Sequence, residues 1–411
     1  MMKRILTLLL LACSLFPLCA QGYIPSESNL AARKEFTQKR LGIFIHWGLY
    51  ASYAQGEWYL HLGELNKDEY AKAAASFNPV GFDADEWVAA FKDAGAGYLT
   101  FTSRHHDGFS MFGTRESGFN IVDGTPFGRD PLAELTAAVK ARGMRMQYYY
   151  SLIDWIRPDY PKGDSGIQKD SLKASYGHYL EFEKAQIREL MAHKPGALWF
   201  DGLWDQPEGF NWRVTELYEL IHSIDPACLI GNNHHKAPLP GEDFQMFERD
   251  LPGENQGGFS ANSPVSALPL ETCETMNYAW GYRVEDQWYK PLKELVALLV
   301  KAVSKDANLL LNIGPMASGE LPAPALERLQ ELGAWMKEHG HTVNGCGSTG
   351  IPPEPWGVTT RDAHHIYVHI LEPSALPADN IIKVSLGGRT FYRKVPSDLD
   401  PVDTILEILV N

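Results

Sequence analysis

From residue 41 to residue 314, short apolar runs alternate with stretches in which apolar residues recur at helical spacing. The runs are LGIFIHWG (41–48), GYLTFTS (97–103), MRMQYYYSL (144–152), ALWFDG (197–202), CLIGNN (228–233), FQMFE (244–248), TMNYAWG (275–281) and NLLLNIG (308–314). They are nearly continuous rather than alternating, the pattern of strands covered on both faces. DEWVAAFKDAGAG (85–97) sets Trp87, Ala90, Phe91 and Ala94 on one helical side and stops at Gly95. Asp130 and Pro131 open another helix as N-cap and first helical residue, with Leu132, Leu135 and Val139 on one face and Gly143 as stop. PLKELVALLVKAVS (291–304) is a strongly apolar helix ahead of the last run. Repeated β-then-α units predict an α/β fold, a (β/α)8 or TIM-like barrel over 21–345. A doubly wound sheet is the competing arrangement, but no G-x-G-x-x-G follows the first run. Beyond HTVNGCG (341–347) the texture changes: WGVTT, HHIYVHIL, NIIKVSL and RTFYRKV are strand patterns without helices between them. They predict a small C-terminal β-sandwich-like domain over 346–411.

The first twenty residues stand outside this pattern. MMKR is a positive n-region, ILTLLLLACSLFPL an apolar h-region, and LCAQG a small-residue cleavage site after Ala20. This reads as a signal peptide over 1–20, too short to span a membrane comfortably, so the expectation is export without a transmembrane helix in the mature chain. A periplasmic location fits best; secretion, or lipid attachment through Cys13 in LLAC, is the alternative. Removing 1–20 takes away Lys3 and Arg4 and no acid, which moves the formal charge from −14 to −16. With that charge and no basic block, nucleic acid is not an expected partner. Of the five cysteines, Cys228, Cys273 and Cys346 remain, an odd and widely spaced set without C-x-x-C, so neither a disulfide framework nor a zinc site is predicted.

In a barrel, polar residues at the C-terminal strand ends face the functional rim. Read in order, those ends carry His46-Trp47, with Glu57-Trp58 in the following loop, then Arg104-His105-His106-Asp107, Tyr149-Tyr150-Ser151, Asp201, Asn232-Asn233-His234-His235, Glu248-Arg249-Asp250 and Trp280. Singly, each has a dull explanation: His46 as a satisfied core histidine, Asp107 as a turn residue, Glu248-Arg249 as a surface ion pair, Asp205 as an exposed loop carboxylate. Adjacent strand side chains point to opposite faces, so His105 and His106 are not expected to chelate a metal together. Collectively, imidazoles, carboxylates and indoles at one rim suit hydroxyl binding and ring stacking. Two carboxylates across such a rim are the parts of glycoside hydrolysis, one attacking and one donating a proton. Asp201 suits the first role because the strand fixes it, and Glu248, two strands on, suits the second.

LGIFIHWGLYA, RHHDGF, YYYSLIDW, LWFDG, LETCETMNYAWGY and DANLLLNIGP resemble the signatures of the glycoside hydrolase family 29 α-L-fucosidases, in the family's order, from about residue 35 to 345. GNNHH…FERDLPGEN is most like exported fucosidases of gut Bacteroidetes. The resemblance implies a retaining double displacement on terminal α-L-fucosides of oligosaccharides or glycoconjugates, with no metal or organic cofactor. It implies Asp201 as nucleophile and Glu248 as acid/base, with Glu271 the rival and Glu274 a weaker one. It assigns His46, Glu57, Trp58, His105, His106 and Tyr149 to the sugar's hydroxyls and ring, and Trp199 and Trp280 to the aromatic wall. Many members carry an arginine after strand five, where this chain has Asn232, Asn233 and His234. Relatives also often have a longer C-terminal domain, so this one reads as incomplete. The alternative function is a catalytically silent fucose-binding protein on the same barrel.

Overall fold

A computed structural model describes residues 22–161, 176–261 and 263–410. The leader read at 1–20, with Cys13, lies outside the described residues. Eight parallel strands run β1 (Leu41–Ile45), β2 (Tyr98–Arg104), β3 (Arg145–Ser151), β4 (Ala197–Asp201), β5 (Leu229–Asn233), β6 (Gln245–Glu248), β7 (Leu270–Thr275) and β8 (Ala307–Ile313). Their order is β5-β4-β3-β2-β1-β8-β7-β6, and β1 pairs with both β2 and β8, so the sheet curls into a barrel. Phe44, Tyr98, Tyr149, Trp199, Leu229, Phe244, Met246, Cys273 and Leu310 fill its interior as one apolar cluster. The outer core joins the other strand faces to the surrounding helices.

Among the described residues the barrel has one seam, between β5 and β6, where no strand ladder forms. The amides of Asp243 and Phe244 both reach Ile230 O, at 2.6 and 3.3 Å. The buried Asp243 carboxylate completes the closure: Oδ2 accepts from Ile230 N at 2.8 Å, and Oδ1 accepts from Arg33 Nη2 at 2.6 Å and Tyr23 OH at 3.1 Å. A side chain thus does at the seam what backbone pairing does elsewhere, and it is fully paired, as a buried charge must be.

The helices between strands start where their caps dictate. Asp83 accepts from Asp85 N and Glu86 N ahead of Ala84–Asp93, and Asp130 accepts from Ala133 N ahead of Pro131–Ala141. Gly95 and Gly143 follow these helices with φ of +91° and +65°, the left-handed turn that favours glycine. Among the described residues no helix is long and apolar enough to cross a membrane.

One strand differs from its expected place. β7 is Leu270–Thr275, not 275–281, which instead forms a loop on the rim. LETCET looks too polar for a buried strand, yet it is buried because Glu271 finds partners inside the barrel. The more apolar MNYAWG run gives Trp280 to the cavity lining and Met276 to the core, while Tyr278 is exposed.

Beyond the barrel, β9 (Gly347–Ser348), β10 (Gly357–Arg361), β11 (His365–Ile370) and β14 (Thr404–Leu409) form an antiparallel sheet, and β12 (Ile381–Leu386) with β13 (Arg389–Lys394) forms a hairpin. Ile366, Val368, Ile382, Val384 and Ile408 from both sheets share a separate core with Trp356. The architecture is a (β/α)8 barrel followed by a small β-sandwich-like unit. The final strand, β14, was not among the sequence-predicted ones.

Candidate active site

The C-terminal strand ends enclose a cavity of about 500 Å³, within the usual size of a small-ligand site. His46, Glu57, Trp58, His105, His106, Tyr149, Trp199, Asp201, Glu248 and Trp280 all line it; Glu271 does not.

Asp201 ends β4, in register with Ser151 on β3 and Asn233 on β5. Its Oδ2 accepts from Tyr149 OH at 3.0 Å and its Oδ1 from Trp204 Nε1 at 3.1 Å. His106 Nε2 stands 3.6 Å from Oδ2. Burial pushes the Asp201 carboxyl up to about 6, against the downward pull of the Trp204 and Tyr149 hydrogen bonds. Glu248 ends β6, and its Oε2 accepts from Asn233 Nδ2 across the seam at 2.8 Å. His235 Nε2 lies 3.7 Å from the same oxygen. Burial, then the negative charge of Asp201, push Glu248 up to about 7. His235 is lowered to about 4 by burial and by His234, so near neutrality it gives Glu248 no cation. Two side-chain donors, Trp204 and Tyr149, favour the ionised form of Asp201. Glu248 accepts from Asn233 and, beyond burial, is raised further by the charge of Asp201. This arrangement suits Asp201 to the anionic role and Glu248 to the protonated one.

Glu271 has no exposure, and both of its oxygens are occupied. Oε2 accepts from Tyr98 OH at 2.7 Å and Oε1 from Trp199 Nε1 at 2.9 Å. It registers with Met246, two positions before the Glu248–Cys273 pair, so it sits inside the barrel behind Trp199. Its work there is to orient the indole. Glu274 is also outside the cavity lining, 3.5 Å from Lys290 Nζ and 3.6 Å from Arg249 Nη1.

The residues expected to hold the sugar ring are themselves held by supports. His46 Nδ1 is 2.7 Å from Asn312 Oδ1, and Asn312 Nδ2 donates to Trp280 O at 2.7 Å. That amide orientation places the proton on His46 Nδ1 and leaves Nε2 as an acceptor. Burial lowers His46 to about 3, so the ring is neutral. Glu57 Oε2 accepts from Gly281 N at 2.8 Å, tying the first rim loop to the loop after β7. Trp58 stacks on Trp204 with centroids 5.5 Å apart, and Phe44, Tyr149 and Trp199 pack ring to ring below.

Several expectations need correction. His105 and His106 lie past the end of β2, after a register shift between Thr102 and Arg104, so the strand alternation does not apply to them. Their rings are 4.2 Å apart, and both face the cavity. Asp205 is not an exposed loop carboxylate: it is fully buried and accepts from Tyr160 OH at 2.5 Å. Arg249 does not form a surface pair with Glu248; its guanidinium lies 5.0 Å from the Trp280 ring centre and donates to Tyr278 O at 2.6 Å. A guanidinium thus reaches the cavity from the end of β6, while Asn233 occupies the end of β5. Phe44, Trp204, Phe259 and Cys273 also line the cavity without having been singled out for it, and His235, read as a rim residue, lines it too. Alternation of side chains along β1 and β7 would have found Phe44 and Cys273; Phe259 sits in a loop, with no periodic signal.

A parallel barrel that carries two carboxyls in an aromatic cup at its C-terminal rim defines a glycoside hydrolase. The chain belongs to the alpha-L-fucosidase family, whose model matches residues 17–341. The plasma alpha-L-fucosidase of Homo sapiens is 30% identical over 395 residues, covering 86% of this chain and 79% of that protein. The solved alpha-L-fucosidase isoenzyme 1 from Paenibacillus thiaminolyticus superposes with a TM-score of 0.82 at 32% identity, covering 93% of this chain and all of that one. The alpha-L-fucosidase from Vibrio sp. strain EJY3 gives 0.77 at 30% identity, over 88% of this chain and 64% of that one.

Proposed function

We propose that the protein is an exported, retaining α-L-fucosidase that removes terminal α-L-fucosyl groups from glycans, with Asp201 as nucleophile and Glu248 as acid/base. The observation that carries this reading is the pair itself: two carboxyls lining one cavity, Asp201 fixed by a strand end and two side-chain donors, Glu248 held by Asn233 across the seam.

In the first step an Asp201 carboxylate oxygen attacks the anomeric carbon as the glycosidic C–O bond breaks, and the Glu248 proton passes to the leaving oxygen. The product is a fucosyl ester on Asp201. Ester formation removes the negative charge that had raised Glu248, so its proton affinity falls and it becomes a carboxylate suited to act as base. In the second step Glu248 takes a proton from water, the oxygen attacks the same carbon, and the ester bond breaks. Two inversions give net retention. His46 Nε2 offers an acceptor to a fucose hydroxyl, and Trp199 and Trp280 face the apolar side of the sugar with its methyl group.

The pH profile tests the assignment. The acidic limb of kcat/KM should fall as pH drops through about 6, where Asp201 takes a proton. The basic limb should fall as pH rises through about 7, where Glu248 loses its own. A narrow bell on an aryl α-L-fucoside is therefore expected. A rate flat from pH 5 to 9 would reject the pair.

Export rests on the n-region, h-region and cleavage pattern of residues 1–20. The mass of the protein recovered from a periplasmic fraction should begin at Gln21; a chain retaining Met1 in the cytoplasm would refute it.

A further inference from the structure

The proton donor fixes where the leaving group must lie. Its glycosidic oxygen has to come within hydrogen-bonding reach of Glu248, so the rest of the leaving sugar extends over the Glu248 side of the cavity. His235 stands on that side, its Nε2 3.7 Å from Glu248 Oε2. The Phe259 ring is stacked on His235, with centroids 5.1 Å apart and planes 21° from parallel. Phe259 lines the same cavity and is 44% exposed.

The two rings are held in place by the backbone around them. His235 has φ of +56°, a left-handed conformation uncommon for a residue with a side chain. The loop that carries Phe259 is pinned at both ends of its tip: Gly257 N donates to Asp250 Oδ1 at 2.7 Å, and Ser260 N donates to Asn255 Oδ1 at 2.8 Å. Asp250 is itself buried. Gly258, with φ of +85°, makes the turn that presents Phe259.

We propose that Phe259, braced on His235, is the platform that receives the leaving pyranose, stacking against the apolar C–H face of that ring. This rests on the fucosidase reading of the cavity and extends it to the leaving side. The platform favours glycosidic partners with a ring over leaving groups that have none, because only a ring can cover the exposed aromatic face. His235 plays two parts in one position: it backs the platform and flanks the proton donor, so the leaving ring and the proton that frees it are aligned together.

The test compares three substrates, α-L-fucosyl fluoride, whose leaving group has no ring, and the disaccharides fucosyl-galactose and fucosyl-N-acetylglucosamine. For the wild-type enzyme and for Phe259→Ala and Phe259→Trp, kcat/KM is measured on each. The ratio of the better disaccharide to the fluoride should fall about tenfold in Phe259→Ala, mainly through KM, and return in Phe259→Trp. An unchanged ratio in Phe259→Ala overturns the platform, whether both rates hold or both fall together. So does a wild-type enzyme that cleaves the fluoride but neither disaccharide. A wild-type enzyme inactive on all three would instead remove the fucosidase reading itself.

Discussion

Asp201→Asn should leave the fold intact and lower hydrolysis of an aryl α-L-fucoside by about 10⁴-fold or more, on the order of 5 kcal/mol of transition-state stabilisation. The loss should appear in kcat, because the missing event is bond formation at the anomeric carbon. Stability should hardly change, for a reason visible in the partners. Trp204 Nε1 can only donate and Tyr149 OH can donate or accept, so the new amide turns its oxygen to Trp204 and its nitrogen to Tyr149. Both hydrogen bonds survive while the nucleophile is gone. Unfolding by urea, followed beside the kinetics, separates the two effects. A variant within tenfold of wild type would exclude Asp201 as nucleophile. The companion Asp201→Gly opens space on the attacked face, so added azide should restore turnover and give fucosyl azide of β configuration, inverted from the α substrate.

The parts of this site that were legible in the sequence are those that periodicity governs. Asp201 was readable because it ends an apolar run two residues after Trp199, so both side chains point into the barrel, and the structure places them on one cavity. Glu248 was readable for the same reason. What misled was polarity used as a sign of exposure. LETCET forms β7 although two glutamates and two threonines do not look buried. Inside a barrel they are, since Tyr98 and Trp199 supply donors to Glu271. Asp205 failed on the same ground, its burial made tolerable by Tyr160. His105 and His106 failed on another: a strand rule was carried beyond the last strand residue, Arg104. Phe259 had no sequence signal because a loop side chain's direction depends on turns that only the fold sets.

The seam between β5 and β6 connects these observations to catalysis. A closed ladder would fix β5 and β6 by backbone alone; here side chains of Asp243 at one end and Asn233 at the other bridge the gap. Asn233 registers with Asp201 on one side and donates to Glu248 on the other, so the residue that spans the seam also sets the two carboxyls relative to each other. A neutral amide at this position adds no charge of its own between Asp201 and Glu248, and burial, then the negative charge of Asp201, raise Glu248 against the pull of Asn233 and Arg249. In the proposed mechanism that repulsion by Asp201 would help hold the proton on Glu248 until Asp201 is esterified.

Replacing Glu248 should therefore affect the two steps unequally. Glu248→Ala should lower hydrolysis of a fucosyl disaccharide by about 10³-fold, within the usual range for general acid–base catalysis. With an activated aryl fucoside, whose leaving group needs no proton, the first step should survive and the second should stall. The signs would be a burst of aryl alcohol, a lowered KM, and an intact-protein mass increased by one fucosyl residue. Azide needs no base, so it should relieve the stall and attack the ester from the face that the leaving group vacated. The product should be α-fucosyl azide, opposite in configuration to that from Asp201→Gly. Glu271→Ala provides the contrast. It frees Tyr98 OH and Trp199 Nε1 inside the barrel, so activity should fall through a displaced indole and lost stability, with no burst and no rescue. If azide instead rescues Glu271→Ala and leaves Glu248→Ala unaffected, the proton donor is the wrong residue. The pairing of opposite azide anomers from Asp201 and Glu248 would fix both at once, because only residues on opposite faces of one anomeric carbon can give that pair.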